Sequence, residues 1–170
     1  MLNRTFFCRV GLSLMQRTLE VFFEGECVVK ISTKGRYALR LLVDLAENGG
    51  DGFVALKDIA ERQSISKKYL EQIVPQLTRG GLIRSNRGLQ GGYVFVRDPN
   101  DITVGEVLKL TEGNLAPVAC LECTPNKCER QHICPTLPVW IGLQNVIVNY
   151  LDSITISDIV EGRVKDSVFE

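Results

Sequence analysis

A chain of 170 residues that is 45% hydrophobic can bury a core for one domain or one and a half, which excludes wholesale disorder. No apolar run approaches the roughly eighteen residues of a membrane-spanning helix. The net charge of zero hides an asymmetry: residues 30–97 hold 12 Lys/Arg against 6 Asp/Glu, and residues 98–170 hold 5 against 11, so only the first block suits phosphate.

Residues 1–28 read as an N-terminal extension. Phe6, Phe7 and Cys8, flanked by Arg4 and Arg9, faintly suggest a secretory signal, but Arg9 and Arg17 interrupt the apolar run and no A-x-A site follows. Glu20, Glu24 and Glu26 argue against a mitochondrial signal. The expected natural start is Val29, read from a GTG codon, with the purine-rich codons of Glu24-Gly25-Glu26 supplying a ribosome-binding sequence. A native peptide spanning Arg17 to Val28 would sink this reading.

From residue 29 to 97 the pattern is three helices and a hairpin. Ser32 or Thr33 can cap a helix carrying Ala38, Leu41, Leu42 and Leu45 on one face, ended by Asn48-Gly49-Gly50-Asp51-Gly52. A short helix over Val54–Gln63 follows, with Leu56, Ile59 and Ala60 on one side. A tight connection then leads to a third helix that Ser66 caps, with Leu70, Ile73, Val74 and Leu77 as its core face. Pro75 deletes a backbone donor in mid-helix and predicts a kink there, or a helix that reorganises after Gln72. Ser66, Lys67, Lys68, Tyr69, Glu71 and Gln72 lie around the N-terminal turns, which in a helix-turn-helix enter the major groove. Gln pairs with adenine edges and Glu accepts from cytosine.

Gly80-Gly81 closes that helix, and Leu82–Arg84 and Tyr93–Val96 read as two strands. Between them Ser85–Gly92 forms a glycine-rich tip with Arg87 placed to enter a minor groove. Taken singly, Lys67 and Lys68 also suit a solvated helix face, Tyr69 a packing role, and the hairpin a plain turn. The full order of elements is that of a winged helix, and it points to nucleic acid. The fold class expected is mainly α with a small β-hairpin wing, followed by a long C-terminal dimerisation helix.

Residues 98–134 connect the two parts. Thr103 caps a helix and Glu106 completes a capping box, with Val104, Val107, Leu108 and Leu110 as apolar surface. After Gly113 comes CLECTPNKCERQHIC, in which Cys120, Cys123, Cys128 and Cys134 have the spacing C-x2-C-x4-C-x5-C. Four clustered thiolates are soft donors that suit an iron–sulfur cluster, with structural zinc the serious alternative and a thiol/disulfide switch a third. Such clustering in a chain able to build a core reads as metal in a reducing, cytoplasmic compartment. His132 is a possible ligand, though four thiols already suffice; Cys8 and Cys27 read as incidental.

Residues 135–161 hold the last long helix, Pro138 to Ile154, with a short closing helix from Thr155 to Glu161, and residues 162–170 form a loose tail. Trp140, Leu143, Ile147, Tyr150 and Ile154 recur at 3-4-3-4 spacing, a coiled-coil-like seam whose simplest partner is its own copy.

Several segments resemble the IscR/NsrR/CymR family of winged-helix regulators: Lys30-Ile-Ser-Thr-Lys-Gly-Arg-Tyr-Ala-Leu-Arg40, Lys68-Tyr-Leu-Glu-Gln72, Arg87-Gly with Gln90-Gly-Gly-Tyr93, Thr103-Val-Gly-Glu-Val107 and Thr155-Ile-Ser-Asp158. The resemblance covers residues 30 to about 161 and is specific through the combination of motifs. It implies a homodimer on palindromic promoter DNA, with Ser66, Glu71 and Gln72 reading bases and Arg87 anchoring the wing. It also implies an iron–sulfur cluster: Cys128 and Cys134 match two ligand positions in spacing, and Cys123 matches a third after a one-residue shift. The chain departs from the family's fourth ligand, having Leu137 where IscR-type members have His and Arg36 where NsrR-type members have Asp. Cys120 is the choice for that place and His132 the second. Two-iron two-sulfur is preferred over four-iron four-sulfur.

The implied function is a DNA-binding regulator, not an enzyme, that represses or activates genes according to iron–sulfur, iron or redox status. One alternative is a zinc-stabilised or cluster-free regulator of cysteine or sulfur metabolism, controlled by a partner protein or by thiol oxidation. A cluster-bearing redox enzyme is disfavoured because no cofactor fold or convergent acid/base set is present.

Overall fold

The helix that centres the core starts where a serine can satisfy its first amides. Ser32 Oγ accepts from Lys34 N at 3.1 Å and Gly35 N at 3.3 Å, so Ser32 rather than Thr33 caps α1 (Thr33–Gly49). The computed structural model describes residues 31–50, 52–86, 91–123 and 125–164. The Val29 start and the wing-tip Arg87 lie outside the described residues. Ala38, Leu41, Leu42 and Leu45 are buried on one face of α1, which packs against α2, α3, α4, α6 and β2. Gly50 ends it at a φ of 46°.

Val54 does not belong to α2 (Leu56–Gln63). It exchanges backbone hydrogen bonds with Tyr93, Val54 N to Tyr93 O at 3.0 Å and Tyr93 N to Val54 O at 2.9 Å, and so extends the hairpin sideways. α3 (Lys67–Arg79) buries Leu70, Ile73, Val74 and Leu77 and continues through Pro75. The expected reorganisation after Gln72 does not occur. Pro75 is exposed, while buried residues on both sides of it hold the helix in the core and offset the one missing internal bond.

β1 (Ile83–Asn86) and β2 (Gly92–Phe95) pair antiparallel, Ile83 opposite Phe95 and Asn86 opposite Gly92. A side chain at Gly92 would strike the Val54 carbonyl, so glycine is what lets the third segment approach.

A short 3-10 turn at Pro99–Asp101 leads to α4 (Val104–Glu112). Thr103 Oγ1 accepts from Glu106 N at 3.1 Å, but the return half of the expected capping box is absent because Glu106 pairs with Arg97 instead. The full box forms on α6 (Ile156–Val160): Thr155 Oγ1 accepts from Asp158 N at 3.1 Å, and Asp158 Oδ2 accepts from Thr155 N at 2.8 Å. α5 (Leu137–Asp152) precedes it, with Pro138 in its first turn. After α5 the chain is stitched to the start of α4, Val104 N to Ile154 O at 2.8 Å and Ile156 N to Ile102 O at 2.9 Å. Ile154 therefore lies past the helix, in this link, and not on the predicted seam. The architecture is mainly α with a two-stranded hairpin, as expected. No helix among the described residues is long and apolar enough to cross a membrane.

Candidate nucleic-acid interface and cysteine loop

The turn between α2 and α3 aims the latter. Ser64 adopts a left-handed conformation at φ 52°, and its N–H closes the end of α2 onto Ala60 and Glu61 carbonyls. Ile65 is 5% exposed and pins the turn to the core. Ser66 occupies the position before α3, yet its side chain makes no capping bond, which corrects the expected N-cap role and leaves the hydroxyl at the surface. Lys67, Lys68, Glu71 and Gln72 are exposed on the first turns. Lys67 and Glu71 stand 3.6 Å apart, a solvated i,i+4 pair of little strength. Tyr69 is different: it is half-buried, edge-on to Tyr37 at 5.5 Å, and packs against the core.

A cleft of about 510 Å³ separates the first turns of α2 and α3 from the base of the wing. Lys57, Lys67, Glu71, Ser85 and Asn86 line it. Sequence reasoning does not single out Lys57, Ser85 or Asn86; their only signal is that they flank a helix start and the glycine-rich tip. Arg84 lies on the outer strand with its guanidinium 5.4 Å from the Phe53 ring centroid.

The cysteine loop fills the interval between α4 and α5. Gly113, at φ 82°, releases the chain from α4. Two asparagine side chains shape the loop: Asn114 donates to Glu122 O at 2.7 Å, and Asn126 accepts from Cys128 N at 2.8 Å. Cys120, Cys123, Cys128 and Cys134 are all free thiols at or near the surface. His132 is exposed. The Thr136 hydroxyl, 3.4 Å from Cys134 Sγ, is the main cause that holds this thiol's pKa below its ordinary value, helped by the Thr136 and Leu137 amides and Arg130. The donor set fits a soft metal centre by its chemistry. The loop does not gather it: among the described residues, no three His, Cys, Asp or Glu side chains stand together as a metal site.

α5 buries none of its side chains within one chain. Its exposed large apolar residues are Val139 (62%), Ile141 (43%), Leu143 (42%), Val146 (66%) and Tyr150 (52%), and all but Ile141 fall at 4-3-4 spacing. Leu143 and Tyr150 of the predicted seam lie on this stripe, while Trp140 and Ile147 are half-buried and Val139 and Val146 stand open beside them. The end of α5 is held against α4. Asp152 pairs with Lys109 at 2.9 Å and lies over Gly105, where any side chain would collide with its carboxylate.

A family model described as "Rrf2: Iron-dependent Transcriptional regulator" matches residues 31–162. The chain belongs to the Rrf2 family. This Rrf2 protein is 40% identical over 132 residues to the HTH-type transcriptional regulator CymR of Bacillus subtilis, covering 77% of this chain and 89% of that one. It is similar to the solved structure of CymR (YrzC), named as the global cysteine regulator of B. subtilis, with a TM-score of 0.65 and 38% identity, covering 78% of this chain and 97% of that one. It is also similar to the solved T. potens IscR, with a TM-score of 0.62 and 38% identity over 83% of this chain and 92% of that one. The Rrf2 chain is thus a DNA-binding transcriptional regulator and not an enzyme.

Proposed function

We propose that this Rrf2-family regulator is a homodimer that reads palindromic promoter DNA with α3 and the wing and senses iron–sulfur, iron or redox status through its cysteine loop. The observation that carries the reading is the placement of four free cysteines on one surface loop between α4, which packs on α1 and α3, and α5, whose apolar stripe is open. Cys120, Cys123, Cys128 and Cys134 would hold the group, with two-iron two-sulfur favoured over four-iron four-sulfur. When bound, it would crosslink the loop in a way sensitive to oxidant and iron supply. The chain's own part is mechanical. A loop drawn together at its four cysteines changes the tether between α4 and α5, and dimers able to bind DNA become more or less populated. Lys67, Lys68, Glu71 and Gln72 of α3 and Lys57, Ser85 and Asn86 across the cleft form the DNA face, with Arg87 as the wing anchor that the sequence resemblance implies.

A second reading is a cluster-free regulator of cysteine or sulfur metabolism governed by a partner protein or by thiol oxidation, supported by the similarity to CymR. Purification without oxygen, a visible spectrum, and iron, sulfide and zinc assays on one sample separate the possibilities. Brown protein with matching iron and sulfide supports the cluster. Colourless protein with one zinc per chain keeps the DNA reading and makes the loop a structural knuckle. Protein holding neither metal overturns the metal loop and favours the second reading.

A further inference from the structure

α4 packs on α1, α3 and α5, and at each of these contacts a glycine makes room. A side chain at Gly35 of α1 would collide with Glu112, whose carboxylate accepts from Gly35 N at 3.1 Å and Ser32 Oγ at 2.7 Å. A side chain at Gly105 would collide with Asp152, the last residue of α5. The third notch is Gly80, the C-cap of α3. A Cβ there would run into Leu110 Cδ1 and stand 2.9 Å from Cδ2 and 3.2 Å from Cγ.

Gly80 differs from its neighbour in why glycine is present. Gly81 has φ +71° with open space around it, so its backbone is what requires glycine. Gly80 has φ −73° and ψ −3°, a conformation open to any residue, so only the approach of Leu110 excludes a side chain. Leu110 is half-buried and packed against the core, so swinging it away from an added side chain gives up that packing. The residue before it, Lys109, holds Asp152 at the end of α5. One nine-residue helix therefore bears on the end of α3 at one point and on the end of α5 at another.

We propose that Leu110, seated in the notch at Gly80, is a positioning contact that sets the angle of α3 relative to α5, and so the presentation of the DNA-reading turns in a dimer. This rests on the reading of α3 as the DNA reader. Adding a methyl at Gly80 displaces Leu110 or tilts α3; truncating Leu110 leaves the notch empty; doing both lets the new methyl occupy space the leucine vacated.

The test uses the full chain and four proteins: wild type, Gly80→Ala, Leu110→Ala and the double variant. The probe is a duplex that the wild type selects from a randomised pool, with mixed-sequence DNA as the comparison, assayed well below the melting temperature of each protein. Each single variant is expected to bind the selected duplex roughly tenfold more weakly, with mixed-sequence binding unchanged, and the double variant to bind better than either single. Single variants that melt lower but bind the selected duplex like wild type would overturn the proposal and leave a packing contact only. So would a double variant no better than Gly80→Ala. Should Gly80→Ala not fold, Leu110→Ala alone decides, and its binding at wild-type strength overturns the proposal. If the wild type selects no duplex, or if Gln72→Ala and Glu71→Ala leave selection unaltered, the reading of α3 itself falls and takes this contact with it.

Discussion

Replacing Asp44 with Ala is expected to cost about 2–3 kcal/mol of stability. Asp44 is 1% exposed on α1 and accepts from Arg62 Nη2 at 2.6 Å, Arg62 Nε at 3.1 Å and Gln63 Nε2 at 3.0 Å. The bond to Asp44 is the main reason the Arg62 guanidinium holds its proton above its ordinary pKa. Removing one partner of a fully buried pair costs about 3–5 kcal/mol. Arg62 is 38% exposed, so water takes back its charge when the carboxylate is gone, and the loss falls toward the roughly 1.5–3 kcal/mol of a charged hydrogen bond. For a folded unit of this size, that corresponds to about 10 °C in melting temperature. Urea unfolding should show a lower midpoint with an unchanged slope. The same group steadies the end of α2 just before the turn into α3, since Arg40 also donates to Gln63 Oε1 at 3.1 Å. A loss below about 0.5 kcal/mol, within the range of an ordinary surface substitution, would refute the reasoning.

Three further outcomes are expected. Val146→Glu places a charge in the open stripe of α5 and should convert dimer to folded monomer in sedimentation equilibrium; an unchanged dimer would move the interface elsewhere. Lys68→Ala should weaken binding across DNA sequences and lower the slope of log affinity against log salt by about one, whereas an unchanged slope would remove Lys68 from the phosphate contacts. Hydrogen bonds from the Thr155 amide and hydroxyl, then from Arg163, hold the Asp158 carboxyl at about 2 against an ordinary 3.8. Because its pKa is lowered in the fold, its stabilisation is complete above about pH 4 and fades as the pH falls toward 2. Wild type and Asp158→Asn should therefore differ most near neutral pH and converge through that window in thermal melts; a pH-independent gap would contradict the capping role.

The features legible from the residues alone are those settled within a few positions of chain. The apolar faces of α1 and α3 depend only on helical spacing, and the glycines after α3 announced a hairpin whose strands lie within about two residues of expectation. The cysteine spacing and the motif resemblance pointed to a regulator family that the comparisons bear out at the level of the Rrf2 family. Errors arose where two local solutions looked alike. Thr103 with Glu106 and Thr155 with Asp158 carry equivalent capping patterns, but Arg97 lies close enough to claim Glu106. Pro75 by itself predicts a kink or a reorganised helix, because the burial that holds α3 on both sides of it comes from other helices.

Local chemistry thus specified the helices, the hairpin, the thiol-rich loop and the family, because spacing, caps and turn residues act over one to three turns. Which face of α5 stays open, which serine caps and which only occupies a cap position, and how α4 is wedged between α1, α3 and α5 emerged from contacts between distant segments. Glu112 reaches α1 across 77 residues, and Asp152 reaches Lys109 across 43. Such pairings leave no periodic trace, because nothing short of the packed chain brings the two partners together.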